Sequence, residues 1–135
     1  MSRFVTDTHP LVWHLTHTPR LSADAKKLFA ETDAGLHQIL VPGIVLIEMV
    51  YLAGKGIIPT PRLHQMFNLL DIPNGSYAIA PLDQAVARTM VNQVPWSIVP
   101  ELADRIITAT AFSLNLPLIT KDEQIQKSGL VFVRW

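Results

Sequence analysis

The fold of this chain is decided by residues 100–122, which read PELADRIITATAFSLNLPLITKD. The proline and the acidic residues at the beginning are typical of the first turn of a helix. The apolar side chains that follow, over 106–114, occupy most of the helix circumference and predict that the helix is buried. Pro117 ends the helix, and residues 118–120 predict a short buried strand. A helix that leads directly into a buried strand favours an α/β fold.

Two carboxylates of this stretch stand in unusual places. Asp104 shares one polar stripe of the apolar helix with Glu101, three residues before it, and Thr108, four residues after it. Such a carboxylate needs a partner or a shifted pKa, because burying an unpaired charge is costly. Asp122 comes at the carboxyl end of the predicted strand, where open parallel sheets bind their ligands. Both aspartates are therefore candidate site residues.

Two further candidate carboxylates, Asp7 and Glu48, occur in the first half of the chain. Asp7 follows a strand predicted over 3–6, where it either caps the next helix or belongs to a site. Glu48 is the only charged residue of an apolar helix predicted over 43–53, which we expect to be buried. A narrow solvent face, or an ion pair within an oligomer, is the alternative explanation for Glu48. We expect Glu48 to lie beside the three aspartates, which should converge to metal-bridging distance.

Composition limits the class of protein. The 135 residues fit one domain, and strands predicted at 38–41, 77–80 and 130–133 alternate with helical segments, as in soluble α/β proteins. No tract of about 18 or more apolar residues predicts a membrane span. The amino terminus lacks the pattern of a secretion signal. The absence of cysteine excludes disulfides and thiolate metal sites and fits a reducing cytoplasm, where we expect the protein to act.

The net charge is zero at neutral pH, which argues against a strongly electrostatic nucleic-acid binder. Any contact with a polyanion must then depend on a local basic patch, to which Arg105 and Lys121 could contribute, or on metal ions. Four carboxylates that share one pocket repel one another unless divalent cations neutralise them. Ligands that are all oxygen point to Mg²⁺ or Mn²⁺ and not to zinc. Such a centre can activate water for displacement at phosphorus.

Four segments of the chain resemble the PIN domain, and most closely the bacterial toxin ribonucleases of VapC type. They read FVTDT at 4–8, VPGIVLIE at 41–48, ADRIITATA at 103–111 and LITKD at 118–122. The resemblance covers nearly the whole chain and implies a single PIN domain over residues 1–135. The implied fold is a PIN-like three-layer sandwich, with a central parallel five-stranded sheet flanked by helices.

The resemblance also implies a function. It implies that the protein cleaves RNA with Mg²⁺ or Mn²⁺ and that a cognate antitoxin protein binds over the acidic pocket. Asp7, Glu48, Asp104 and Asp122 match the acids of the family, which makes them the candidate catalytic and metal-ligating residues. Thr120 matches a hydroxyl position near the site, and Glu101 stands where many relatives carry an additional acid. The neutral charge of the chain departs from relatives that are more basic around the pocket.

Other classes of protein explain the pattern less completely. A haloacid-dehalogenase-type phosphatase needs a second aspartate two residues after Asp7, where this chain has His9. A receiver domain would use a threonine and a lysine such as Thr120 and Lys121, but its chemistry does not explain Glu48. A PIN-fold module that binds RNA or a peptide without cutting, and a nuclease that acts on DNA, both stay open. The early histidines lack matching ligands, and we expect them on the surface or in packing.

Two predicted helices carry more apolar surface than a small domain readily covers. They span residues 44–52 and 63–70, and a large exposed apolar patch is unfavourable in water. A symmetric homodimer would bury that surface. The resemblance to the VapC-type proteins implies the same assembly.

Overall fold

A computed structural model describes residues 1–135 and has a five-stranded parallel sheet at its centre. The spatial order of the strands is β3-β2-β1-β4-β5. In chain order they are β1 (Ser2–Thr6), β2 (His37–Pro42), β3 (Tyr77–Ala80), β4 (Leu118–Ile119) and β5 (Val133–Arg134). Every neighbouring pair is parallel. The predicted α/β class and the parallel sheet are confirmed.

Seven helices connect and flank the strands. They are α1 (Thr8–Leu15), α2 (Ala23–Asp33), α3 (Gly43–Gly54), α4 (Thr60–Leu70), α5 (Gln84–Gln93), α6 (Leu102–Leu114) and α7 (Glu123–Ser128). None combines the length and the apolar character that crossing a membrane requires. Together with the central sheet they form the architecture that the sequence predicted.

The sheet positions the candidate site through its central strands. Val5 of β1 pairs with Leu40 of β2 on one side and with Leu118 of β4 on the other. The backbone N–H of Asp7 then donates to the carbonyl oxygen of Ile119, at 2.9 Å, just beyond the last paired residues. Because the strands are parallel, the segments after β1 and β4 leave the same edge of the sheet side by side.

Helix α6 is buried over Ile106–Ala111, as its apolar sequence predicts, and ends at Asn115 in the left-handed region with φ 53°. The Arg105 side chain does not face the candidate site. Its Nε and Nη2 atoms donate to the carbonyl oxygen of Val94, at 3.0 and 2.9 Å, and Nη2 also donates to that of Met90. Arg105 therefore satisfies the last carbonyl groups of α5.

Two expectations about secondary structure need correction. The strand expected at 130–133 begins only at Val133, since Gly129 ends α7 in a left-handed conformation and Phe132 is 83% exposed. Helix α3 is not buried, because only Val45 and Met49 of its residues are fully covered. The apolar pattern of α3 reflects a solvent-facing apolar surface as well as a core-facing one.

Candidate active site

A polar pocket of about 480 Å³ opens at the edge of the sheet where β1 and β4 end. All four predicted carboxylates line it, and two further acids join them. Its lining residues are Asp7, Thr8, His9, Pro10, Trp13, Arg20, Glu48, Glu101, Asp104, Lys121, Asp122 and Glu123. The structure thus brings together residues that lie more than a hundred positions apart in the chain.

Asp7 is the most deeply buried of these acids, with 8% of its surface exposed. Its Oδ1 atom accepts a hydrogen bond from the backbone N–H of Thr8 at 2.7 Å, and its Oδ2 atom accepts one from Thr120 Oγ1 at 2.7 Å. Burial raises the pKa of Asp7, while these two hydrogen bonds oppose the increase. The sequence offered two roles for Asp7, a helix cap or a site residue. The structure shows that Asp7 caps α1 and also lines the pocket.

Thr120 connects the two aspartates that follow strands. It is fully buried, its hydroxyl donates to Asp7, and the same oxygen accepts from the backbone N–H of Asp122 at 3.0 Å. Asp122 in turn caps α7, because its Oδ1 atom accepts from the N–H of Ile125 at 2.9 Å. Thr120 therefore fixes the spacing between the ends of β1 and β4.

Glu48 reaches the pocket from α3. Its Oε1 atom accepts a hydrogen bond of 2.6 Å from the hydroxyl of Thr8, the residue next to Asp7. This contact orients Glu48 towards the strand-end aspartates and explains a charge within an otherwise apolar helix. Thr8 was missed in the sequence analysis; its adjacency to Asp7 is the one signal that could have indicated its role.

The Asp104 carboxylate has no hydrogen-bonding side chain or cation beside it. Burial and the negative charges of Asp7, Glu101, Asp122 and Glu48 raise its pKa to about 7, and no hydrogen bond opposes the increase. Six carboxylates and only two permanent cations line the pocket. The pocket therefore carries an excess of negative charge that the protein itself does not neutralise.

The donor chemistry of the pocket suits a hard divalent cation, because carboxylate oxygens are the ligands that Mg²⁺ and Mn²⁺ prefer. The side chains as they stand do not form a ready-made group of three ligands. The expected convergence to metal-bridging distance is therefore only partly met. The acids line one pocket, but no three of them are close enough together to bind one ion. Rotation of the half-buried Glu48, Asp104 and Asp122 side chains would have to complete a metal site.

The comparison with protein families matches the PIN domain over residues 4–129, and the chain belongs to that family. Solved structures share the fold over nearly their whole length. VapBC2 from Rickettsia felis, bound to a promoter DNA fragment, has 14% identity and a TM-score of 0.72, with 97% of this chain and 96% of that chain covered. DNA-bound VapBC from Salmonella typhimurium has 17% identity, a TM-score of 0.72 and coverage of 98% and 97%.

FitAcB from Neisseria gonorrhoeae has 16% identity and a TM-score of 0.60, with 96% of this chain and 95% of that chain covered. At these identities the likeness shows a shared fold. A search of the curated proteins found no match.

Proposed function

We propose that this protein is a metal-dependent endoribonuclease. The observation that carries the proposal is the acidic pocket itself, in which burial and the charges of four other carboxylates raise the pKa of Asp104 to about 7. A pocket that concentrates uncompensated carboxylates at the end of a parallel sheet is suited to binding divalent cations. Membership of the PIN domain family supports the same conclusion.

In the proposed mechanism, Asp7, Asp104, Asp122 and Glu48 would hold Mg²⁺ or Mn²⁺. The ion would supply Lewis acidity and positive charge for hydrolysis of a phosphodiester. Thr120 and Thr8 orient Asp7 and Glu48 through the hydrogen bonds described above. Asp104 has to lose its proton before it can act as a ligand, so that metal binding near pH 7 should release protons.

We also propose that the protein is the toxin of a toxin–antitoxin pair and that an antitoxin binds over the pocket. Support comes from the shared fold with VapBC and FitAcB, which were solved as complexes. An antitoxin that inserts a basic side chain among the carboxylates would neutralise them as a metal ion does. We place the proposed activity in the cytoplasm, because a chain without cysteine fits a reducing compartment.

A second candidate function is an RNA-binding or peptide-binding module that does not cut. One observation favours it, namely that no three acidic or histidine side chains form a ready-made metal-ligand group. The two functions differ in their need for metal. A binding module should retain RNA in EDTA, whereas a nuclease should lose its activity.

The assay of this proposal incubates antitoxin-free protein with structured and single-stranded RNAs. We expect cleavage with millimolar Mn²⁺ or Mg²⁺ and none with EDTA, because the ion would supply the Lewis acidity and activate the water for attack at phosphorus. Adding excess metal back should restore the rate. Binding without cleavage under every metal condition would favour the non-cutting module instead.

The proposed homodimer would form through α3. Ile47, Val50 and Tyr51 are all exposed, and their spacing places them on one face of the helix. No large apolar residue of α4 is exposed in the same way. Both helices were expected to contribute apolar surface to the dimer contact, but only α3 presents such a surface. A symmetric pairing of the α3 surfaces would remove these side chains from water.

Light scattering at micromolar concentration tests the dimer. We expect a particle of about twice the 15.0 kDa chain mass, and Ile47→Lys should convert it to single chains because it places a charge in the apolar contact. Val91→Lys is the matched control, since Val91 is similarly exposed but lies on α5. A single-chain mass for the unmodified protein would contradict the proposal.

A further inference from the structure

One wall of the acidic pocket is built from an indole ring and two cations. Trp13, on α1, is half-buried and lines the pocket. The Arg20 guanidinium carbon lies 5.8 Å from the centroid of the Trp13 ring, and Lys121 Nζ lies 5.7 Å from it. The His9 ring is 5.8 Å away, and Trp135 packs edge-on at 6.0 Å. We call Trp13, Arg20 and Lys121 the aromatic wall.

The two cations of the aromatic wall are not ion-paired. Six carboxylates line the same pocket, yet neither Arg20 nor Lys121 has a carboxylate oxygen within 4.0 Å. Both side chains are exposed and rest against the indole. A cation–π contact at an exposed site is weak, so that little opposes a move of either cation to a phosphate.

Lys121 is placed where a phosphate contact would be useful. It stands between Thr120, which holds Asp7, and Asp122, which caps α7 at the end of the sheet. A phosphate bound by Lys121 would therefore lie next to the carboxylates. Since the chain as a whole has no net charge, its affinity for a polyanion must come from such local cations and from metal ions.

We propose that the aromatic wall is a subsite for one unpaired nucleotide of the RNA. Trp13 stacks on the base, and Arg20 and Lys121 bind the adjacent phosphates. This inference rests on the proposed ribonuclease function, since it names the part of the substrate that the same pocket holds. Stacking of a base on an aromatic side chain tolerates any sequence and needs an unstacked base. The subsite would therefore select looped or single-stranded RNA over duplex.

A binding cycle between protein and RNA tests the stacking. It uses Asp104→Asn as a non-cleaving background and compares a short single-stranded RNA with the same RNA lacking its bases. We expect Trp13→Leu to weaken binding of the intact RNA roughly 5- to 150-fold. Binding of the abasic RNA should not change. Trp13→Phe should retain most of the affinity, because phenylalanine also stacks.

The comparison stays valid if Trp13→Leu folds less well, because a smaller folded fraction lowers the apparent affinity for the intact RNA and for the abasic RNA by the same factor. Trp96→Leu serves as the matched control, because Trp96 is 70% exposed and lies outside the pocket. Equal weakening of the intact and abasic RNAs, or no weakening of either, would overturn the proposal.

The cations are tested by the salt dependence of binding. Arg20→Gln and Lys121→Gln should each reduce the slope of log affinity against log salt by about 0.7, as expected for one lost contact to single-stranded RNA. Lys55→Gln is the control for Lys121, because Lys55 also rests on an aromatic ring, that of Tyr51, but outside the pocket. An unchanged slope in both pocket variants would exclude the phosphate contacts.

These measurements separate the two proposals. Base-dependent binding through Trp13 in a protein that cuts no RNA would support the subsite and contradict the nuclease. Metal-dependent cleavage whose rate and preference for single strands do not change in Trp13→Leu would contradict the subsite alone.

Discussion

Asp7→Asn and Asp104→Asn are each expected to lower the rate of RNA cleavage by about 10²–10³-fold. The reason is that both substitutions would remove a negative ligand from the proposed metal site, and the ligands of such a site act as a unit. The double variant should for the same reason be little worse than either single variant. Initial rates with Mn²⁺ on one labelled RNA, measured for all four proteins, give the result.

Asparagine is the informative replacement at Asp7 because it separates charge from structure. The side chain caps α1 by accepting the Thr8 N–H, and asparagine caps helices about as well as aspartate. Asp83→Asn is the matched control: Asp83 caps α5 by accepting the N–H of Val86 at 3.2 Å, but it does not line the pocket. The control should leave cleavage within about twofold of the unmodified protein, as expected for a surface cap that keeps its hydrogen bond.

Two outcomes would count against the assignment. Cleavage at the same rate in Asp7→Asn and the unmodified protein would indicate a contaminating nuclease. A loss in the double variant equal to the product of the single losses would indicate that Asp7 and Asp104 act at separate places and not on a shared ion.

The location of the site could be predicted because local sequence carries it. Asp7 and Asp122 each follow an apolar strand, and parallel strands bring such positions to one edge. Asp104 stands out because apolar side chains occupy most of the circumference of its helix, and that helix is indeed buried over Ile106–Ala111. Spacing alone would not single out these acids; their placement after strands and on a mostly apolar helix, together with the resemblance to the PIN domain, indicated them.

The contacts that organise the site could not be predicted in this way. The Thr8–Glu48 hydrogen bond spans 40 residues and the Thr120–Asp7 bond spans 113, and nothing in the local pattern selects these partners. The Arg105 side chain points to the carbonyl oxygen of Val94 at the end of α5. The sequence of α6 alone does not indicate that this partner lies beside it. Helix α3 was expected to be buried because apolar residues that face water have the same pattern as a core.

Asp104→Asn is also expected to stabilise the metal-free protein at neutral pH. Asp104 has a pKa of about 7 in the folded protein against 3.8 for an ordinary aspartate. Between these values the folded state binds more protons than the unfolded state, and the free energy of unfolding therefore falls as the pH rises from about 4 to about 7. Above that window the loss is complete and stays constant.

The shift corresponds to about 4 kcal/mol at most, and solvent screening of a half-exposed carboxylate reduces this to about 1–2 kcal/mol. Asparagine carries no charge and avoids the loss. In EDTA we therefore expect the variant to melt about 4–8 °C above the unmodified protein at pH 8 and at nearly the same temperature at pH 4.

A second aspartate, Asp24, has a pKa shift of the opposite sign. Asp24 accepts hydrogen bonds of 3.0 and 2.9 Å from Arg134, and these hold the pKa of Asp24 below its usual range. Its contribution is present above the unfolded pKa and is lost as the pH falls through the folded pKa. Asp24→Asn should therefore destabilise the protein at neutral pH, whereas Asp104→Asn stabilises it.

Metal is expected to narrow the difference in melting temperature between Asp104→Asn and the unmodified protein. Millimolar Mg²⁺ or Mn²⁺ should raise the melting temperature of the unmodified protein at pH 8, because ligand binding to the folded state alone stabilises it. Asp104→Asn starts from a higher value but should gain less, since it has lost one negative ligand. If millimolar metal left both melting temperatures unchanged, the acidic pocket would not be a metal site. The loss of stability that the clustered carboxylates cause would then need another explanation.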